Sequence, residues 1–190
     1  MGSARRSSLA LVILLAVTST AHAEGIRFGA MASARVTDIA GQVPSDPDLR
    51  FAAAALVEQP LAPLLALAAE PGIAQAGSSK YPLLYLSLPL VARMRWAVSA
   101  RSRVRATLGP RVSYLATAKM KVNDDDGPVY EDARNHFRAW DLAALVGLGV
   151  ERGDYFVDVR YARSLVTIHT DDPALFAVNH ELGLWIGLAR

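Results

Sequence analysis

The stretch Tyr81–Trp96, YPLLYLSLPLVARMRW, constrains the fold more than any other part of the chain. Leu84, Leu86, Leu88, Leu90, Ala92, Met94 and Trp96 fall on alternate positions, and Tyr85, Ser87, Pro89, Val91, Arg93 and Arg95 stand between them. A period of two puts one set on each face of a β-strand. A helix would scatter Arg93 and Arg95 around its surface. Seven alternate apolar positions exceed the usual strand of about five or six residues and suit one that crosses a bilayer, which takes about 9–11 residues.

The alternation recurs in eight segments. The first, Gly25–Val36, sets Ile26, Phe28, Ala30, Ala32, Ala34 and Val36 opposite Arg27, Gly29, Met31, Ser33 and Arg35. The second, Arg50–Glu58, is alanine-rich and also suits a helix locally. The third, Leu64–Ala74, is interrupted by Pro71-Gly72, which favours a bulged strand. Tyr81–Trp96 is the fourth, followed by Arg103–Lys119, Phe137–Glu151, Tyr155–Ile168 and a last segment through Leu182–Leu188. Arg163 breaks the pattern, because it falls on an apolar face. Thr37–Leu49, with Gly41, Pro44, Ser45, Asp46, Pro47 and Asp48, reads as a loop, as does the acidic stretch Met120–His136. Connections alternate long and short. That asymmetry fits an outer-membrane barrel, with short periplasmic turns and longer extracellular loops. An even strand number returns both termini to the periplasmic side.

Met1–Ala23 reads as a targeting segment. Arg5 and Arg6 precede an apolar run, Leu9–Val17, and Ala21-His22-Ala23 gives a small-x-small site for cleavage after Ala23. The apolar run is too short to span a bilayer as a helix. Residues 24–190 then form one domain. Without Arg5 and Arg6, 18 Lys and Arg stand against 18 Asp and Glu, a neutral balance that argues against a nucleic-acid partner. The absence of cysteine excludes disulfides, thiolate metal sites and a cysteine nucleophile.

A soluble barrel and a membrane barrel share this alternation and differ in which face points inward. One face collects Arg27, Arg35, Glu58, Glu70, Arg93, Arg95, Arg103, Arg105, Arg111, Asp141, Glu151, Asp158, Arg160 and Glu181, interleaved with Gly29, Gly109, Gly147, Gly149, Gly183 and Gly187. Glycines beside long charged side chains suit a crowded lumen; on a solvated face they would weaken the sheet without a packing return. Aromatics mark both ends of the other face: Phe28, Trp96 and Tyr155 at the turn side, Phe51, Tyr114 and Trp140 at the long-loop side. These resemble interfacial girdles. The fold expected is an all-β, eight-stranded, antiparallel, up-and-down transmembrane β-barrel.

The runs YLSLPLVARMRW, LGPRVSYLATAK, DLAALVGLGVE, VDVRYARSL and ELGLWIGLAR resemble the outer-membrane β-barrel domain family of the PorT-like kind. The Leu-Pro-Leu of the fourth segment, the Gly-Pro midway along the fifth and the Asp-x-Arg-Tyr of the seventh carry the likeness, which extends over Gly25–Arg190. It implies a closed, eight-stranded antiparallel barrel and no shared enzymatic activity. Barrels of this kind commonly finish on an aromatic residue, whereas this chain finishes Leu188-Ala189-Arg190.

An eight-stranded barrel fills its interior with side chains. Glu58, Glu70, Arg93, Arg95, Arg105, Arg111, Asp141, Glu151, Asp158, Arg160 and Glu181 are therefore expected to form a structural salt-bridge network, with acids of the second, third and seventh strands facing arginines of the fourth and fifth. Pro89 predicts a bulge or a missing ladder bond. Asn123-Asp124-Asp125-Asp126-Gly127 lacks the spacing of a helix-loop-helix calcium loop, since Val122 and Ala133 occupy its first and last slots. No metal or cofactor is expected. His136, His169 and His180 fall toward the long-loop side, and His180 or His136 with Ser164 is a conceivable catalytic pairing, although no nucleophile motif accompanies it. Arg152-Gly153-Asp154 matches an adhesion tripeptide by letters but falls in a periplasmic turn. The leading expectation is a monomeric, non-enzymatic outer-membrane barrel in contact with outer-membrane lipid and its assembly machinery, presenting loops to partners the sequence does not identify. The alternatives are a rim-located enzyme acting on lipid and a soluble, lipocalin-like ligand-binding barrel.

Overall fold

The computed structural model describes residues 25–41, 46–124, 127–170 and 177–190. The proposed signal peptide, Met1–Ala23, lies outside them, as do Asp125 and Asp126 of the acidic stretch. Ten strands follow one another: β1 Arg27–Gly41, β2 Asp48–Ala62, β3 Leu65–Ala69, β4 Gly72–Gly77, β5 Pro82–Ala97, β6 Ser102–Asp124, β7 Gly127–Asp132, β8 Trp140–Arg152, β9 Tyr155–Ser164 and β10 Ala177–Ala189. Every pairing is antiparallel. The sheet closes because β1 pairs with both β2 and β10, and β5 pairs with both β6 and the β3–β4 stave. Phe28 and Arg190 exchange both backbone hydrogen bonds, at 2.7 and 2.8 Å, across the seam.

The ring has eight staves, because β3 and β4 are two halves of one. Ala69 pairs with Leu90 and Gly72 with Ser87, so the register survives the break at Glu70-Pro71. Pro71 has no N–H to give, yet its carbonyl still accepts from Ala55 at 2.9 Å. β2 is a strand despite its alanines, since pairing on both edges overrides weak local propensity.

Several boundaries differ from the sequence reading. β1 runs through Thr37 to Gly41 and β2 starts at Asp48, which shortens the expected loop Thr37–Leu49. The stretch Met120–His136 is not a loop throughout: β6 continues to Asp124 and pairs with β7, and a 3₁₀ turn, Arg134–His136, follows. The link between β4 and β5 is only Ser78–Tyr81, so length asymmetry is carried by the other connections. At Pro89 the second alternative holds, a lapse in the ladder; the bulge lies elsewhere. Register shifts between Leu84 and Tyr85. Beyond Pro89, pairing with β6 lapses at Leu90 and Val91 and resumes unshifted at Ala92–Leu108. Gly109 permits this: a Cβ there would meet the Val91 backbone at 2.8 Å.

The faces are sorted as a membrane barrel requires. Leu86, Leu88, Leu90, Leu108, Val146, Leu148, Val159, Leu182, Leu184 and Ile186 are exposed on the outer surface, while the arginines and carboxylates of the same strands are buried. A soluble barrel would invert this arrangement. The lipocalin-like alternative fails on that ground.

Candidate functional site

Alternation along each stave delivers every second side chain to the lumen, where Arg35, Arg93, Arg95, Arg105, Arg111 and Arg160 are buried with Glu58, Glu70, Asp141, Glu151, Asp158 and Glu181. Six cations therefore meet six anions among the described residues. Neutrality is what makes such burial tolerable, because an isolated charge in a poorly solvated interior is far too costly.

Eight of these ions form a closed, alternating ring. Arg93 bonds Glu58 at 2.8 Å and, on its other side, Glu70. Glu70 meets Arg160 at 2.6 Å, and Arg160 meets Asp158 at 2.8 Å. Asp158 accepts from Arg105 at 2.8 Å, and Arg105 lies 3.7 Å from Glu151. Glu151 accepts from Arg95 Nε at 3.1 Å, and Arg95 returns to Glu58. Two oxygens per carboxylate and five N–H groups per guanidinium let every member serve two neighbours. Arg27 bridges Glu58 and Glu151 from the turn side at 3.2 and 3.3 Å. The Arg105 guanidinium also stacks 3.9 Å from the centroid of Phe156.

Small residues make room for these ions. Gly147 pairs with Arg160 and Gly149 with Asp158 on the β8–β9 ladder. A Cβ at Gly147 would come within 2.8 Å of Arg160 Cγ.

Toward the long-loop side a second cluster joins Arg35 to Glu181 at 2.8 Å and Arg111 to the same carboxylate. Asp141 accepts from Ser164 Oγ at 2.9 Å. Asn179 donates to Tyr85 Oη at 3.3 Å. Above them Ile39, Leu83, Leu115, Phe137 and Ile168 form an apolar plug. The pocket bordered by Met31, Arg35, Glu70, Glu181 and Trp185 holds about 20 Å³, room for one water.

All eleven expected network residues are buried in the lumen. Their sources are wider than acids of strands two, three and seven against arginines of four and five, because Arg160 on β9, Glu151 on β8 and Glu181 on β10 also take part. Arg35 belongs to the network too, as its place on the polar face of the first segment allowed. Arg103 does not: it is largely exposed at the turn-side mouth, 3.8 Å from Glu151. Ser164, Asn179 and Tyr85 were not singled out as lumen partners, and only their parity could have revealed them.

The pairing of Ser164 with His180 fails on geometry. Ser164 points into the lumen toward Asp141, whereas His180 lies on the outer face, its Nδ1 2.9 Å from Tyr161 Oη. His136 belongs to the 3₁₀ turn, and the His169 ring packs edge-on against Phe137 at 5.7 Å. Arg152-Gly153-Asp154 is the tight β8–β9 turn, with Gly153 at φ +60°. Phe28, Phe51, Trp96, Trp140 and Tyr155 are exposed on the outer face, and Tyr114 packs on Trp140 with centroids 5.0 Å apart.

Residues 21–170 match the family model described as outer membrane protein beta-barrel domain. The chain belongs to that family, and its place is the bacterial outer membrane. No curated protein matches it in sequence. Among solved structures, the neisserial surface protein A (NspA) is similar with a TM-score of 0.50 at 14% identity, over 87% of this chain and 99% of that one. The outer membrane enzyme PagL is similar with a TM-score of 0.50 at 12% identity, over 83% of this chain and 98% of that one. At such identities the likeness concerns the fold alone.

Proposed function

We propose that this member of the outer membrane protein β-barrel domain family is a monomeric, non-enzymatic envelope protein that anchors a surface-presented rim. Its long-loop side, with the β6–β7 hairpin, faces the exterior, and its short turns, with the start of β1 and the end of β10, face the periplasm. The observation that carries this reading is the lumen: a neutral ring of paired ions under an apolar plug serves as a rigid, side-chain-filled core. The aromatic residues at the two ends of the outer face act as interfacial anchors in outer-membrane lipid. The β-barrel assembly machinery inserts the chain. Partners recognise the hairpin, whose Val129 and Tyr130 are exposed.

Single cysteines test the orientation, since the natural chain has none. With a membrane-impermeant maleimide on intact cells, Glu131→Cys is expected to label and Ser99→Cys, in the β5–β6 turn, is not. Planar-bilayer recordings of the purified protein are expected to show no steady conductance. Labelling of Ser99→Cys alone, or a stable channel, would overturn the proposal. Turnover of phospholipid or lipid A by the purified protein would replace it with the enzymatic reading.

A further inference from the structure

We propose that Tyr161, Arg163 and His180 form a site for the phosphate of an outer-leaflet lipid headgroup on the membrane-facing wall of the barrel. The outer face of β9 and β10 is apolar through Tyr155, Val157 and Val159 and through Leu188, Ile186, Leu184 and Leu182. Arg163 is the charge that breaks this pattern, and the lumen network does not use it. It stands directly opposite His180 in the β9–β10 register, and Leu182 is opposite Tyr161. Tyr161 Oη reaches across to His180 Nδ1 at 2.9 Å, which fixes the imidazole. That leaves His180 Nε2 buried without a hydrogen-bond partner. Among the described residues Arg163 has no ion-pair partner either. Asp38 lies across His180 on the β1 side, away from Arg163, and its carboxylate accepts its neighbour's N–H, that of Ile39, at 2.7 Å. Among the described residues the site therefore offers an exposed guanidinium without an ion-pair partner beside an exposed phenol, with the imidazole held behind them and its Nε2 still unsatisfied.

Its height fits a headgroup. Arg163 lies eight residues beyond Tyr155, and at about 3.3 Å per residue with a strand tilt of about 40° that is roughly 20 Å above the turn-side aromatic. The apolar band of such barrels is about 25 Å tall, so the three side chains sit just inside the opposite interface. A free cation in hydrocarbon is costly there, whereas a guanidinium that forks onto phosphate is not. The assignment of the leaflet rests on the orientation given under the proposed function.

The test uses the folded protein in maltoside micelles, titrated with diphosphoryl lipid A, with the same lipid dephosphorylated, and with inorganic phosphate. The phosphorylated lipid is expected to bind about tenfold tighter than the dephosphorylated one, and Arg163→Leu and His180→Leu are each expected to remove most of that preference. Arg163→Lys should retain part of it. Tyr161→Phe, which leaves packing intact, should weaken binding about threefold. Heat-modifiable migration checks that each variant is folded, and Tyr161→Phe stands in for any that is not. Equal affinity for the two lipids, or an unchanged Arg163→Leu, overturns the site. Inorganic phosphate competing as well as the lipid at equal concentration overturns the lipid assignment. Micelle binding does not depend on which way the barrel faces, and the cysteine labelling does, so failure of the site and failure of the orientation are separable.

Discussion

Glu70 is the most informative residue to change. It is 1% exposed, and its two oxygens serve Arg93 and Arg160. Glu70→Gln conserves volume, removes the charge and turns an amide NH₂ toward one of two guanidinium groups. Removing one partner of a buried ion pair costs about 3–5 kcal/mol, because the other charge is left uncompensated. Here Arg93 keeps Glu58 at 2.8 Å and Arg160 keeps Asp158 at 2.8 Å, which places the cost at the low end, about 3 kcal/mol. With a urea slope of about 2 kcal/mol per molar, the midpoint should fall by about 1.5 M. The assay is urea unfolding in micelles, followed by the heat-modifiable gel shift and tryptophan fluorescence. Adding Arg93→Met removes the excess positive charge, and the double variant should recover more than half of the loss, since replacing both members of a buried pair costs less than removing one. A Glu70→Gln stability within about 0.5 kcal/mol of the parent, or a double variant that loses the sum of the two single effects, would refute the view that paired charge is what the lumen requires.

Other outcomes follow from the same geometry. Gly147→Ala should cost about 1–3 kcal/mol in the urea assay, because its methyl would press on the Arg160 stem. Leu184→Arg, on the outer face near mid-height, should cost about 2–4 kcal/mol, whereas Val36→Arg near the long-loop rim should cost no more than about 1 kcal/mol; equal costs would remove the inferred bilayer position. Gly153→Ala should lower stability by about 1–2 kcal/mol through its left-handed backbone, and no loss there would contradict the turn geometry.

Much of the barrel was legible in the chain because strand alternation is local. Tyr81–Trp96 alone separated Arg93 and Arg95 from Leu86, Leu88 and Leu90, and the same rule placed all eleven expected ions on the inner face. Turns carried their own chemistry, as Gly153 illustrates. Less legible was where strands end. β6 and β7 extend each other beyond the rim through pairing that neither stretch announces, since Met120–Asp124 alone is polar and short. The irregularity at Pro89 has a similar cause. Pro89 forbids one donor, but how far the ladder lapses depends on the neighbouring stave, where Pro110 and Gly109 stand opposite Leu90 and Val91. Ser164 shares the parity of Asp158 and Arg160 and His180 that of Leu182, so the alternation already set one inward and the other outward.

The sequence by itself determined the period, the chemistry of each face, the equal numbers of opposite charges and the even count of staves. Those are one-dimensional properties, set by the residue at each position and the two-residue repeat of a strand. The tertiary structure decided who meets whom. Glu58 and Arg93 are 35 residues apart and Glu70 and Arg160 are 90 apart, and only ring closure and strand stagger bring them within hydrogen-bond reach. Closure also gave the apolar face its meaning by turning it outward to lipid, and it left Arg163 and His180 side by side on that wall.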